Sequence, residues 1–257
     1  MNPAFAYIYD DFLSDRRFER EISILETELA SRGVEGQVAR LAMFRSARET
    51  IIDLACAGAK NIVFVGNDKT VEKMMWFLPD VGVTVGYIPL TKPAHIGTLL
   101  GIPMGLSAVD VLAARLVETI DVGKLDDRYF LTEVIVPATV ASLEVEGQYR
   151  VSPAVGGAIA VRNLGSVSGK IPVAADPKDG WLEAIIQTRV NGDRWLGKSP
   201  LDETTIRLKR GTIISKEPID VFMDGHTVNG FSFKLSIVPN KLKVITGKGR
   251  ETSGRVT

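Results

Sequence analysis

The sequence predicts an α/β domain followed by an all-β domain. Three observations carry this expectation. Up to about residue 120, short apolar runs alternate with stretches whose apolar residues recur at helical spacing. Beyond that point the texture becomes short apolar alternations broken by turn residues. The 257 residues, 45% of them hydrophobic, can build one large domain or two of ordinary size, with a real core.

Ala4 to Tyr9 is apolar and reads as a strand. Asp15 to Ser31 reads as a helix, because Phe18, Ile22, Leu25 and Leu29 share one face, and Gly33 stops it. Gln37 to Ala42 is a second strand. Ser46 and Glu49 form a capping-box pattern that opens a helix through about Cys56. Asn61 to Val65 is an uninterrupted β-branched run, typical of a strand buried on both faces. A helix over about Thr70 to Phe77 follows, packing Met74, Met75, Trp76 and Phe77 against the sheet, and then a strand near Val83 to Ile88. Ser107 and Asp110 start a helix through about Glu118, with Val109, Leu112, Ala113 and Leu116 inward. Strand and helix alternating in this way imply a parallel sheet covered by helices.

The second half runs "YFLTEVIVPA", "ASLEVEGQYRVSP", "GAIAVRN", "WLEAIIQTR", "TTIRLKRGTIISK", "SFKLSIVP" and "KLKVITG", punctuated by Gly147, Pro153, "KDGW" and "DGHTVNG". Short strands at such spacing predict an antiparallel β-sandwich or barrel. The junction falls near "IDVGKLDDRYF", giving domains over 1–121 and 122–246 and a polar, glycine-rich flexible tail over 247–257.

Lys plus Arg equals Asp plus Glu at 31 each, so no global field draws in nucleic acid or an acidic membrane. The single cysteine, Cys56, allows no disulfide framework and fits a reducing, cytoplasmic setting. It reads as a small buried residue on a helical face. No basic, apolar leader and no long apolar run is present, so neither a signal peptide nor a transmembrane helix is expected.

Several motifs stand in register. "VGNDKT" follows the third strand, with Gly66-Asn67-Asp68-Lys69-Thr70 at the turn. "PLTKPAHIGTLLGIP" runs from Pro89 to Pro103, and "IDVGKLDDRYFL", "ADPKDGWLEAIIQT", "IDVFMDGHTV" and "FKLSIVPNKLKVI" follow in order. This series resembles the diacylglycerol kinase catalytic-domain family, whose fold is shared with NAD kinases and sphingosine kinases. The family carries Gly-Gly-Asp-Gly-Thr at the first turn and Pro-Leu-Gly-Thr-Gly-Asn-Asp-Phe-Ala, then Leu-Gly-Ile-Pro, at the second. The match extends from about residue 4 to 245. It implies an NAD kinase-like, Rossmann-type first domain and a β-sandwich second domain. It also implies ATP with magnesium as cofactors, bound in the family's interdomain cleft, and phosphoryl transfer to a lipid hydroxyl. The implied partners are a nucleotide and a lipid, in the cytoplasm or peripherally at a membrane; homo-oligomerisation is left open.

On that resemblance, Gly66, Asn67, Lys69, Thr70, Thr91 and Lys92 are the nucleotide-binding candidates, and Asp68, Asp224 and His226 the catalytic ones. A strand feeding a helix N-terminus leaves backbone N–H groups that hold phosphate, and glycine lets the phosphate approach. Here Lys69 replaces a glycine. It either meets phosphate as a point charge or sits solvated on a turn. On the resemblance Asp68 contributes to the nucleotide or catalytic site; its other reading is a helix N-cap, and the two roles can coexist. "TKPAHI" replaces the second loop's glycines, amide and acid, while Asp10 and Asp11 after the first strand would repel a triphosphate. Arg16, Arg17 and Arg20 meet phosphate or form a solvated helix face. His95 and His226, the chain's two histidines, fall at the family's loop aspartate and at its Asp-Gly-Glu turn. With Asp224 they would ligate a metal only if they converge, and no metal site is assigned. The alternative to a divergent lipid kinase is a pseudokinase that acts as a scaffold or binds an anion other than ATP.

Overall fold

The computed structural model describes residues 5–41, 46–137, 140–153, 157–189 and 201–250. The chain divides into two compact units: Met1–Ile120 with Val167–Ala174 and Asn240–Thr257, and Asp121–Ser166 with Ala175–Pro239. The second half of the chain thus returns two segments to the first unit.

Unit 1 is built on β1 (Phe5–Tyr9), α1 (Glu19–Ser31), β2 (Gly36–Arg40), α2 (Ala47–Cys56), β3 (Asn61–Gly66), α3 (Asp68–Met75), β4 (Thr84–Pro89), α4 (His95–Leu99) and α5 (Ser107–Ala114). The strands pair in parallel in the order β2-β1-β3-β4. Lys243 and Val244, near the chain's end, add a further parallel strand beside Thr84 and Val85. β1, β3 and β4 are buried along their whole lengths, as uninterrupted apolar runs require. Because β1 lies between β2 and β3, the carboxyl ends of β1 and β3 form a topological switch point. Open α/β sheets bind their ligands at such points.

Several helix boundaries differ from expectation. Two 3-10 turns, Asp11–Ser14 and Arg16–Phe18, precede α1, which buries Ile22, Leu25 and Leu29. Ser46 caps α2 by accepting from the Glu49 amide. The expected helix through Glu118 ends at Ala114, where Arg115 turns left-handed (φ 47°) and its guanidinium reaches Asn61 Oδ1 at 3.2 Å. Leu116 and Ala113 are accordingly exposed, not inward, while Ala108, Val109 and Leu112 face the sheet. Cys56 is exposed as well, because it is the last residue of α2 and that turn points away from the core. Ala42, expected at the end of the second strand, lies outside the described residues.

The remaining strands are β5 (Val117–Leu125), β6 (Arg128–Phe130), β7 (Glu133–Val136), β8 (Ser142–Val145), β9 (Tyr149–Val151), β10 (Ala158–Arg162), β11 (Gly165–Ser166), β12 (Val173–Ala174), β13 (Leu182–Arg189), β14 (Leu201–Leu208), β15 (Arg210–Met223) and β16 (His226–Ile245). In unit 2 the order β14-β13-β10-β7-β15-β16 is antiparallel throughout. β8 pairs with the other end of β15 and with β9. Alternate residues of these strands, among them Val134, Leu143, Val161, Ala184, Ile213 and Phe233, form one buried core.

Candidate functional site

The turn after β3 is closed on itself. A helix N-terminus normally leaves amides free for an anion. Here Asn67 caps α3 in an extended conformation (φ −138°) and forms a capping box with Thr70. The Asn67 N–H donates to Thr70 Oγ1 at 3.0 Å, and Lys69 N–H donates to Asn67 Oδ1 at 3.0 Å. The Asp68 N–H donates to Pro93 O and the Thr70 N–H to Asn67 O, each at 2.9 Å. All four amides that a phosphate would use therefore have partners within the chain. Asn67 serves as a cap rather than as a stand-in for left-handed glycine. Lys69 is exposed on the turn, its amide committed to the cap.

Gly66 and Thr70 lie against each other. A Cβ on residue 66 would lie 2.2 Å from Thr70 Oγ1 and 3.2 Å from Asp10 Cβ. The Thr70 hydroxyl donates to Asp10 Oδ2 at 2.6 Å, and Lys73 Nζ lies 3.2 Å from Asp10 Oδ1. Asp10, 1% exposed, thus seats a carboxylate at the switch point beneath the turn. Burial raises its pKa, but hydrogen bonds from Asp11, Thr70 and Lys73 outweigh burial and hold it below the ordinary carboxylate range. Asp11 is pushed the other way, first by its hydrogen bond to Asp10. Sequence reasoning noticed Asp10 only as a source of repulsion. It missed Lys73, whose partner is 63 residues away.

Asp68 does not cap its own helix. Its buried carboxylate accepts from the His95 N–H at 2.6 Å, the Ile96 N–H at 3.1 Å and the Tyr87 hydroxyl at 3.2 Å. It caps α4, the short helix of the second loop. Burial raises the Asp68 pKa despite these donors, and the Tyr87 hydroxyl is pushed far up by burial and by Asp68 beside it. The second loop holds a cis Lys92–Pro93 peptide. Thr91 is half-buried with its amide on Gly66 O at 3.3 Å, and Lys92 is exposed. Arg16, Arg17 and Arg20 are exposed, and Arg17 pairs with Asp15 at 3.4 Å.

In unit 2, Asp224 and Gly225 form the β15–β16 turn with φ of 41° and 72°, the left-handed pair of a tight hairpin. The buried Asp224 carboxylate accepts from the Leu131 amide, the Thr132 amide at 3.0 Å and the Thr132 hydroxyl. Burial pushes its pKa up against these donors. Asp224 therefore pins the hairpin. His226 opens β16 half-buried, and its Nε2 has no hydrogen-bond partner among the described residues. His95 belongs to unit 1, where its Nδ1 lies 2.9 Å from Val167 O. Among the described residues, no group of three His, Cys, Asp or Glu could hold a metal ion.

An open cleft of about 640 Å³ lies wholly in unit 1, between the 92–104 loop and the 170–172 segment. Lys92, His95 and Thr98 face Lys170 and Ile171 across it.

No family model and no curated protein matches this chain. Solved structures do. A diacylglycerol kinase from Bacillus anthracis strain Sterne superposes with a TM-score of 0.79 at 17% identity, covering 97% of this chain and 98% of that one. The chain has the fold of a diacylglycerol kinase. Two structures of candidate diacylglycerol kinases from the same strain match with TM-scores of 0.80 and 0.79 at 15% and 16% identity. They cover 96% and 97% of this chain and 98% and 99% of theirs. This likeness establishes the architecture, and the residues decide the ligand. The turn after β3 does not fit a magnesium-bound triphosphate: its amides, the Thr70 hydroxyl and the space under Gly66 are all taken.

Proposed function

We propose that this protein is a binding protein on the diacylglycerol kinase scaffold, a pseudokinase that does not transfer phosphate from ATP. The observation that carries this reading is the Asp10 carboxylate, fixed by Thr70 and Lys73 at the switch point of the sheet. Phosphoryl transfer relies on positioning and on neutralising phosphate charge. A fixed buried anion in the cradle opposes both. Asp68, read as catalytic on resemblance, is explained by its three donors from Tyr87 and α4, and Asp224 by its three donors from Leu131 and Thr132. A second reading, a divergent lipid kinase, is favoured by His226, whose buried Nε2 has no hydrogen-bond partner among the described residues and is left for a ligand.

A labelled-ATP assay with diacylglycerol in mixed micelles separates the two. The expected result is no phosphorylated lipid above the protein-free background. Turnover that His226→Ala abolishes would establish the kinase.

A further inference from the structure

The cleft between the second loop and the 170–172 segment has a lining unlike the neutral chain that carries it. Lys plus Arg balances Asp plus Glu over the whole protein. Yet among the described residues the eleven that line the cleft include two lysines, Lys92 and Lys170, and no carboxylate. Both lysines are exposed. The rest of the wall is largely apolar. Ile171 is 78% exposed and Met104 42%, which leaves apolar surface for a ligand to cover. Pro93, Pro103 and Pro172 stiffen the rim. The Val167 carbonyl can only accept, so His95 Nδ1–H donates to it and ties one wall of the cleft to the other. The first amides of α4 are taken by Asp68, leaving the lysines as the cleft's charge. A volume of about 640 Å³ suits a small molecule rather than a protein segment.

We propose that this cleft binds an anionic amphiphile: a phosphate or carboxylate head held by Lys92 and Lys170, and an apolar chain laid on Met104 and Ile171. The proposal names the ligand class left open by the preceding reading and rests on that reading's exclusion of ATP. Neither part of the ligand suffices alone. The lysines are solvated and hold a bare anion weakly, and the apolar surface is too open to hold a neutral chain.

The test is calorimetric titration of the full chain with dodecyl phosphate and with laurate, both kept below micelle formation, beside dodecanol and inorganic phosphate. Saturable binding of either acid supports the proposal, and the tighter of the two identifies the head. Dodecanol and inorganic phosphate should each bind at least about tenfold more weakly. Lys92→Glu with Lys170→Glu should abolish binding without moving the melting temperature, since both side chains are exposed. Ile171→Asp should weaken the acids and leave inorganic phosphate unchanged. If the charge reversal disturbs folding, Lys92→Gln with Lys170→Gln should still weaken binding by about tenfold. The proposal is overturned if neither acid binds, if binding survives loss of both lysines, or if only anionic vesicles bind. A Mg-ATP titration in parallel separates the two readings. ATP binding with no amphiphile binding overturns both, and ATP binding beside lysine-dependent amphiphile binding overturns only the exclusion of ATP.

Discussion

The turn at Gly66–Thr70 and the cleft at Lys92 and Lys170 belong to the same unit, yet they treat charge in opposite ways. In the turn four amides, the Thr70 hydroxyl and the Lys73 ammonium have partners within the chain, while Lys69 is exposed. In the cleft two exposed lysines stand with no carboxylate among the described lining residues. The same unit therefore satisfies its charges internally at one place and leaves them open at another. At the turn the anion is the chain's own Asp10 carboxylate.

Asp68→Ala leaves the His95 and Ile96 amides and the Tyr87 hydroxyl unpaired, and should destabilise the fold by roughly 3 kcal/mol, measured by urea denaturation. A variant as stable as the parent would mean that Asp68 is reserved for chemistry.

Asp10→Asn should cost roughly 2 kcal/mol through loss of charge-assisted bonds to Thr70 and Lys73, discounted because Lys73 is 47% exposed. It also predicts a pH effect of definite sign. The Asp10 carboxyl is held below its ordinary value, so its contribution is complete above about pH 4 and is lost as pH falls through the lowered value. The melting temperature of Asp10→Asn should therefore fall less than the parent's on acidification from about pH 5 to about pH 2. Parallel curves would break the assignment.

Thr70→Val removes the hydroxyl that joins Asn67 to Asp10 and should cost roughly 1–2 kcal/mol, with Thr70→Ser recovering most of it. Lys69→Ala should move stability by no more than about 0.5 kcal/mol, as for an exposed turn residue. A larger loss, read in the same denaturation series, would give Lys69 a role that its position does not suggest.

Much of the fold was legible because β1, β3 and β4 are continuous apolar runs and the hairpin turn is an Asp-Gly pair. What was hidden depended on contacts distant in sequence. α4 is capped by a carboxylate 27 residues upstream, so no local signal marked its start. α5 stops at an arginine in a left-handed conformation, a place where glycine or asparagine is the usual sign. The candidate site was legible as a position, and its closure was not. Gly66 and Thr70 read as phosphate contacts from their spacing, but the spacing is equally served by a glycine that makes room for a threonine hydroxyl bound to Asp10. The cleft joins Lys92 to Lys170 across 78 residues, beyond any local pattern.

The closure of the turn after β3 is read in the melting temperature in millimolar Mg-ATP. A ligand at about 100 times its dissociation constant adds about 2.7 kcal/mol, a shift of several degrees for a chain of this size. The closed turn predicts no shift. A shift of that size, lost in Lys69→Ala, would place the triphosphate at the turn and contradict the account.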